Sequence, residues 1–430
     1  MKRQTLALAA ILAVAVACSK QEAKQAKDDA KQAATNAAQK VEDAIDVAVP
    51  FGGKDDPAAR EKERFDESWR GVFQNTQVQQ GVPQQQTAPM AAKPPEVQVT
   101  FMPNGKEAFA KPIVPAAINS APVVVPIKGD MSGPSVLKTQ VYLDRLHFSV
   151  GALDGRWGRN SAIALWWYQR SRGISAADPG ALDEATFRSL ASAAGGVPAL
   201  KEYTLTEDDL KGPFVSVPEE MYDKAELDCL CYESLQEKLA EKFHTSMEFM
   251  DQLNADVKFS DLKAGDRLWV PNVREWMTQD QPDIARVVVS IRGNTFNAFD
   301  AQGNLIFHSP TTLGNKYDPS PNETVEVKKI VHDPHFHYQP KLFAEVPDDE
   351  PEANLNPGPN SPVGVVWVAL SKPHFGVHGT SDPDSIGYAS SHGCVRLTNW
   401  DANEVARRLQ PGVKIEFLDT RDKAAQTASQ

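Results

Sequence analysis

Cysteine is scarce in this chain, and positive charge is in deficit. The 430 residues include four cysteines, too few for a scaffold held together by disulfides. Forty-five lysines and arginines face 57 aspartates and glutamates, giving a formal net charge of -12. This balance argues against a nucleic-acid partner, which requires a basic surface. Beyond the N-terminus no apolar run approaches the roughly 18 residues of a transmembrane helix, and the length fits about two to four domains.

An export signal is predicted over residues 1–18. Lys2 and Arg3 precede an apolar segment that is too short to remain in a membrane as a helix, and small residues lead to Cys18. This ending resembles a bacterial lipoprotein cleavage box, which implies that Cys18 is lipidated and anchors the exported protein to a membrane of the cell envelope. The alternative is cleavage after an Ala-x-Ala site, which would release a soluble exported protein.

A long spacer is expected to follow the signal. Residues 19–48 have few large apolar side chains, and the stretch from Pro50 to Pro134 holds 12 of the 31 prolines. Each proline removes a backbone donor and restricts the residue before it. We therefore predict a mostly disordered tether over 19–134, and a polar tail over 420–430.

Residues 135–195 carry three helix patterns, the second of which Asn160 or Ser161 would cap. The turn Asp154-Gly-Arg-Trp-Gly158 and the pair Tyr168-Gln169 resemble the signature of a peptidoglycan-binding-type three-helix domain. The resemblance implies affinity for the cell wall. A helical spacer without affinity for glycans is the alternative.

Residues 225–274 contain two short amphipathic helices followed by a strand. The pair Leu253-Asn254 and the ending Val270-Pro271 resemble a LysM-type βααβ module, a class that binds N-acetylated glycan strands. The motif Cys229-Leu-Cys231 stands at its start. These cysteines either close a small disulfide or remain two buried thiols, and we favour the thiols.

Residues 284–419 are rich in β patterns, with a hairpin turn at Arg292-Gly293-Asn294 and one late helix started by Asn399 or Asp401. The fold class expected for the whole chain is multidomain α+β. This third block contains the most specific motif in the sequence.

That motif is SHGCVRL, residues 391–397, with His378 sixteen residues upstream of Cys394. A nucleophilic thiol requires a base or an electropositive setting to become a thiolate, and donors for the oxyanion that its attack creates. His378 is the candidate base. The backbone amides of His392 and Gly393, together with that of Cys394 itself, are the candidate donors.

The combination of His378-Gly-Thr with the SHGCVRL segment resembles the signature of YkuD-type L,D-transpeptidases over residues 284–419. The resemblance implies a β-rich, sandwich-like domain with Cys394 at its cleft. Cys394 would attack the third residue of a peptidoglycan tetrapeptide stem, D-Ala would leave, and an amine would resolve the thioester into a 3–3 cross-link. The partners implied are stem peptides and glycan strands, and no cofactor is needed.

The resemblance also assigns roles to individual residues. His378 is the base and later the proton donor, and the backbone carbonyl of Gly379 orients its ring. His392 shapes the loop, or serves as the base in place of His378. Arg396 would bind a carboxylate of the stem.

Two further residues are expected near the substrate. Ser391 would support the nucleophile loop, and Tyr338 would line the donor cleft. A metal site is the alternative for the nearby histidine cluster, although its spacing fits no zinc-enzyme pattern. The cluster consists of His332, His335 and His337.

Two other functions remain open from the sequence. The same chemistry could attach a lipoprotein to the cell wall or remove it by hydrolysis. The chain could also be a wall-binding scaffold whose catalytic domain is inactive, although the intact pair of Cys394 and His378 weighs against this.

Overall fold

The computed structural model describes residues 100–101, 107–109, 112–129, 131–274, 281–315, 318–343, 346–347 and 349–418. The predicted export signal with Cys18, the first part of the tether and the polar tail lie outside these residues. Within the described ranges, no helix has the length and apolar character needed to cross a membrane.

The last part of the predicted tether is folded. Its elements are an antiparallel strand pair and a short helix, namely β1 (Thr100–Phe101), β2 (Glu107–Ala108) and α1 (Pro115–Ser120). Ile118 is 4% exposed and Ile127 is fully buried, and Ile127 pairs with Leu182. The prediction of a disordered tether is therefore wrong over 112–134. Prolines are compatible with this segment because one of them starts helix α1, while apolar side chains anchor the chain.

Three helices follow, as predicted: α2 (Pro134–Arg145), α3 (Arg159–Ser171) and α4 (Glu184–Ala193). The predicted cap of α3 is wrong. Gly158 is the N-cap and makes no side-chain cap, whereas the Asn160 amide donates to the Ile386 carbonyl at 2.9 Å. Asn160 is thus used to join α3 to the C-terminal part of the chain.

A βααβ arrangement comes next, with an insertion after its first strand. Its elements are β3 (Leu200–Thr204), α5 (Met221–Ala225), α6 (Leu235–Lys242), α7 (Met247–Leu253) and β4 (Arg267–Pro271). Strand β3 pairs antiparallel with β4, so the arrangement begins at Leu200, ahead of the predicted boundary at 225. The side chains of Ser234 and Ser246 cap α6 and α7 by accepting backbone N–H groups.

The insertion between β3 and α6 contains a disulfide, so our preference for two free thiols is wrong. Cys229 and Cys231 are bonded, with their Cα atoms 5.2 Å apart, which suits a disulfide. Leu230 between them is fully buried, and its N–H donates to the Pro357 carbonyl. The disulfide turn is therefore docked on the C-terminal domain.

The C-terminal domain is a curled sheet with one helix. Its elements are β5 (Arg286–Ser290), β6 (Thr295–Phe299), β7 (Leu305–Pro310), β8 (Thr324–His332), β9 (Phe336–Tyr338), β10 (Ala353–Leu355), β11 (Val366–Leu370), β12 (Gly376–His378), β13 (Val395–Arg396), α8 (Asn399–Arg408) and β14 (Lys414–Leu418). Eight strands form one sheet in the order β13-β12-β11-β8-β14-β5-β6-β7, and β9 and β10 form a separate hairpin.

The expected sandwich is thus a single continuous sheet. Strand β8 pairs with β14 at its start and with β11 along the rest, so it belongs to both halves. One apolar core holds the two halves together, since Val287 and Phe296 from one half share it with Val366 and Val377 from the other.

A buried ionic cluster joins helix α2 to helix α8. Arg274 is 8% exposed and binds Asp144 of α2 together with Asp401 and Glu404 of α8. The predicted starters of α8 are corrected here: the hydroxyl of Thr398 caps the helix by accepting the Asp401 N–H. This leaves the Asp401 carboxylate to bind Arg274.

Candidate active site

Two neighbouring parallel strands bring the motif residues together. In β12 and β13, Val377 pairs with Val395 and His378 with Arg396. Paired residues point to the same face of a sheet, as do residues two apart on one strand. His378 and Arg396 therefore share one face, and Cys394 immediately precedes β13, near enough for the Arg396 charge to act on its thiol.

Cys394 is a half-buried, reduced thiol. Burial raises its pKa, and this outweighs the opposing effects of a hydrogen bond from the Gly376 amide and of the Arg396 charge. The hydrogen bond that the thiol donates within the described part of the chain goes to the His374 carbonyl, at 3.7 Å. A nucleophile with a raised pKa must lose its proton to a base during attack.

His378 is suited to that task. It is 3% exposed, and burial, helped by the Arg396 charge, lowers its pKa to about 3, so the ring is neutral at physiological pH. Its Nδ1 lies 2.7 Å from the Gly379 carbonyl oxygen. Because a carbonyl can only accept, Nδ1 carries the hydrogen and Nε2 keeps the lone pair. The Trp367 ring stacks on the imidazole with centroids 5.4 Å apart.

The loop before Cys394 is fixed by hydroxyl groups. The Ser391 Oγ donates to the Cys394 carbonyl at 2.7 Å and accepts the Gly393 N–H at 3.2 Å, while the Ser320 Oγ donates to the Gly393 carbonyl. Gly393 has a φ of +104°, and a Cβ there would lie 2.7 Å from the Phe375 ring. Ser391 is 1% exposed and therefore supports the loop, as predicted, without being open to substrate.

These contacts bear on one of the predicted oxyanion donors. The Gly393 N–H donates to the Ser391 Oγ at 3.2 Å and would have to leave this hydrogen bond to reach an oxyanion. The amides of His392, Gly393 and Cys394 remain the predicted donors.

Arg396 is the predicted anion-binding residue of the site. Its backbone is held by Thr312, which accepts its N–H at 2.9 Å. The guanidinium is half-buried, and its Nε is buried with no hydrogen-bond partner among the described residues. The carboxylate-binding role of Arg396 stays a prediction from the sequence.

Tyr338 is buried and contacts Phe343, the residue that packs against His392. It is 6% exposed in a small apolar cluster with Leu230 and Leu355. Its ring is 5.2 Å from that of Phe343, which in turn meets the His392 ring edge-to-face at 4.9 Å. The predicted substrate contact of Tyr338 is therefore replaced by an indirect one, in which Tyr338 backs Phe343 and Phe343 contacts His392.

One histidine of the predicted cluster, His337 on β9, is paired with a carboxylate. His337 Nε2 lies 2.9 Å from a carboxylate oxygen of Glu352. Across the residues that the structure describes, no group of three or more His, Cys, Asp or Glu side chains is arranged to hold a metal ion.

A cavity of about 360 Å³ lies beside the loop that connects His378 to Cys394. Its walls come from the three-helix segment, from α7 and from this loop, and they include Trp157, Asn160, Glu248, Asp384 and Tyr388. The accessory segments therefore reach the loop between base and nucleophile.

Several residues of the site do not belong to any motif that the sequence analysis identified. Trp367 stacks on the base, Ser320 holds the nucleophile loop, and His374 accepts from the thiol. Asn399, which we considered only as a helix starter, contacts the segment after His378. The alternating strand pattern around Trp367 was the one available indication that it shares a sheet with the motif.

A thiol that immediately precedes one strand and a buried neutral imidazole on the strand paired with it define the site of a cysteine-nucleophile enzyme. Residues 284–416 match the family model described as YkuD, L,D-transpeptidase catalytic domain. This segment, which is less than half of the chain, is similar to L,D-transpeptidase catalytic domains, which are cysteine-dependent acyltransferases acting on peptidoglycan. The finding confirms the resemblance seen in the sequence.

Individual curated relatives and solved structures are similar to parts of this chain. The YkuD protein of Bacillus licheniformis, named as a candidate L,D-transpeptidase, is 28% identical over 42% of this chain and 92% of its own length. YbiS of Escherichia coli, named as a probable L,D-transpeptidase, is 30% identical over 28% of this chain and 40% of its own length. One matching solved structure is L,D-transpeptidase 3 of Mycobacterium tuberculosis, which is 17% identical over 37% of this chain and 77% of that chain, with a TM-score of 0.27. Another is an Enterococcus faecium L,D-transpeptidase, which is 12% identical over 32% of this chain and 50% of that chain, with a TM-score of 0.24.

Proposed function

We propose that this protein is an exported, lipid-anchored L,D-transpeptidase that forms 3–3 cross-links in peptidoglycan. The observation that carries the proposal is the placement of a tautomer-fixed His378 and of Arg396 on one face, with Cys394 near Arg396. The envelope location rests on the substrate class of the family and on the predicted signal that ends at Cys18.

The reaction proceeds in two halves. His378 Nε2 takes the thiol proton as the Cys394 sulfur attacks the carbonyl carbon that joins the third stem residue to D-Ala, and the Arg396 guanidinium binds a stem carboxylate. The amides of His392, Gly393 and Cys394 hold the oxyanion, the C–N bond breaks, and His378 returns the proton to the leaving D-Ala nitrogen. An amine of a second stem then attacks the thioester carbonyl, the C–S bond breaks, and His378 transfers a proton from the amine nitrogen to the Cys394 sulfur, giving the new amide and restoring the thiol.

The test uses the purified full chain with tetrapeptide muropeptides and mass spectrometry. We expect release of D-Ala and formation of 3–3 dimers, both absent in Cys394→Ala with an unchanged melting temperature. D-Ala release with tripeptide alone would favour the hydrolytic alternative, and transfer only to a lipoprotein lysine would favour wall attachment. A folded wild-type protein that releases no D-Ala from any stem would identify the scaffold alternative.

For the accessory segments we propose binding to glycan strands of the wall, with the cavity that includes Trp157 and Tyr388 as the contact region. Aromatic rings and amide side chains together suit sugar rings and N-acetyl groups. Co-sedimentation with purified sacculi tests this. Tyr388→Ala should weaken co-sedimentation, whereas the exposed Tyr222→Ala, away from this cavity, should leave it unchanged; equal retention of both variants would contradict the proposal.

A further inference from the structure

A carboxyl group from the accessory βααβ arrangement reaches the catalytic domain. Glu241, near the end of α6, is 8% exposed. Its two oxygens accept from the Asn399 amide at 3.0 and 3.2 Å, and one also accepts from the Tyr232 hydroxyl at 3.2 Å. Burying a carboxyl group is costly unless its hydrogen bonds are made, so this contact constrains both partners.

Asn399 passes that constraint to the segment after the base. Its amide oxygen accepts the N–H of Thr380 at 3.2 Å and that of Val365 at 3.3 Å. A Cβ at Gly364 or Gly379 would lie 2.0 or 2.2 Å from this oxygen, so both positions require glycine to make room for it.

The direction of the Asn399 amide depends on what its nitrogen faces. Its NH2 group donates to Glu241 and to the Pro359 carbonyl, which leaves the oxygen for the two backbone N–H groups. A flipped amide would place donors against donors. Glu241 therefore helps to keep the oxygen directed at Thr380.

The Thr380 N–H and the Gly379 carbonyl belong to the same peptide group, which is rigid and planar. Asn399 holds this peptide at its N–H end, and His378 Nδ1 donates to its carbonyl end at 2.7 Å. The orientation of that peptide thus fixes both the tautomer and the tilt of the imidazole.

We infer that Glu241 is a positioning residue for the base His378, acting through Asn399 and the peptide group between Gly379 and Thr380. The inference rests on the proposed role of His378 as the base. It makes the βααβ arrangement part of the catalytic apparatus in addition to any affinity for the wall.

The decisive comparison is Glu241→Leu against Glu241→Gln in the full chain. Burial raises the pKa of Glu241 to about 8, so the group is mostly protonated at neutral pH and glutamine is a close mimic. Leucine removes the acceptor for Asn399. We expect Glu241→Leu to lower kcat for D-Ala release about ten- to hundred-fold with little change in KM for the tetrapeptide, because base and thiol are misaligned. Glu241→Gln should stay within about threefold of the wild type.

The matched control is Glu237→Leu, one turn earlier on α6 and with the same replacement as Glu241→Leu. Glu237 also contacts the catalytic domain, by accepting from the Asn360 amide at 2.7 Å, but it does not touch Asn399. Its kcat should equal that of the wild type. An equal loss in both variants would mean that docking of α6 is all that matters, and would overturn the inference.

Two further measurements keep the inference falsifiable. If Glu241→Leu does not fold, Glu241→Asp retracts the carboxyl group by one methylene and should also lower kcat; an unchanged kcat in either folded variant overturns the inference. The rate of Cys394 alkylation by iodoacetamide against pH requires no stem peptide. A wild type that releases no D-Ala would sink the proposed function, whereas an alkylation profile identical in wild type and Glu241→Leu would sink the role of Glu241.

Discussion

At the scale of single residues, the site combines two groups that are both neutral at rest. The pKa of His378 is lowered and that of Cys394 is raised, each because burial disfavours the charged form. The resting pair is therefore a thiol and an imidazole rather than a thiolate and an imidazolium. Attack must couple proton transfer to bond formation, which makes the geometry of the base more important than the acidity of the thiol.

Arg396 offers a prediction at this scale. Arg396→Gln removes the charge and the forked donor that would bind the stem carboxylate, and we expect the KM for the tetrapeptide to rise about ten- to hundred-fold. Steady-state kinetics of D-Ala release measure this. Arg286→Gln, a cation on the opposite half of the sheet, is the control and should leave KM unchanged. Equal KM values for Arg396→Gln and wild type would remove the carboxylate contact from the mechanism.

The sequence predicted these residues because their signal is local. Cys394 and His378 each lie in a short motif that can be recognised from neighbouring residues alone, and Gly379 directly follows His378. Glu241 gave no signal, because its partner Asn399 lies 158 residues away in sequence. Asn160 misled us for the same reason: a side chain that fits a helix cap was recruited by Ile386, 226 residues away.

At the scale of elements, the disulfide turn and the β9–β10 hairpin pack together and support Phe343, which contacts His392. Leu230 packs against Tyr338 and Leu355, and the contacts continue through Phe343 to His392. The sequence could not show this contact of Leu230. The insertion that carries the disulfide separates strand β3 from the rest of the βααβ arrangement, so the place of the insertion in the fold was not recognisable.

Leu230→Ala tests that support. Removing a fully buried leucine side chain costs about 2–5 kcal/mol where the surroundings cannot collapse. We expect faster backbone hydrogen exchange in β9 and β10 and unchanged exchange in β5 to β7. Leu342→Ala, an exposed leucine in the same region, is the control. Unchanged exchange in the hairpin of Leu230→Ala would show that the turn does not support it.

At the scale of the whole molecule, the Arg274 cluster holds the helical segment and the catalytic domain in register. Arg274→Met leaves the buried Asp401 without its cation and removes one cation from Glu404, which keeps Arg408, and from Asp144, which keeps its hydrogen bond with His244. Breaking a buried pair in this way costs about 3–5 kcal/mol. Thermal unfolding should show a clear drop in melting temperature. Arg267→Met removes an exposed pair with Glu202 and should shift it little. Comparable shifts in the two variants would argue against the cluster as the main link.

The same burial predicts an acid-labile fold. Burial lowers the pKa of His308 and of His378 from 6.5 to about 3, and the Arg274 cluster lowers that of Asp144 to about 2. The unfolded chain therefore binds more protons than the folded one below about pH 6.5, and stability falls as the pH decreases. Glu241, with its pKa raised to about 8, acts in the opposite sense between about pH 4.5 and 8. Burial also raises the pKa of Asp154, Glu237 and Asp384, but by less, and we expect the two histidines together with the acidic partners of Arg274 to outweigh these carboxyl groups.

We accordingly expect the melting temperature to fall between pH 7 and pH 4.5 and to fall further toward pH 2. Differential scanning calorimetry measures this directly. A melting temperature that stays level or rises on acidification to pH 4.5 would contradict the buried neutral state of the two histidines.

The ionic cluster around Arg274 also crosses the boundary of the recognisable family segment. The recognisable family segment starts at residue 284, yet the buried Asp401 inside it takes its cation, Arg274, from outside it, whereas Glu404 has Arg408 as a second cation. Moving the recognisable segment alone into another protein would leave the Asp401 carboxylate buried without that cation. The segment that contains all the partners of this ionic cluster is therefore larger than the segment that the family model matches, and it extends back at least to Asp144, the third acidic side chain on Arg274.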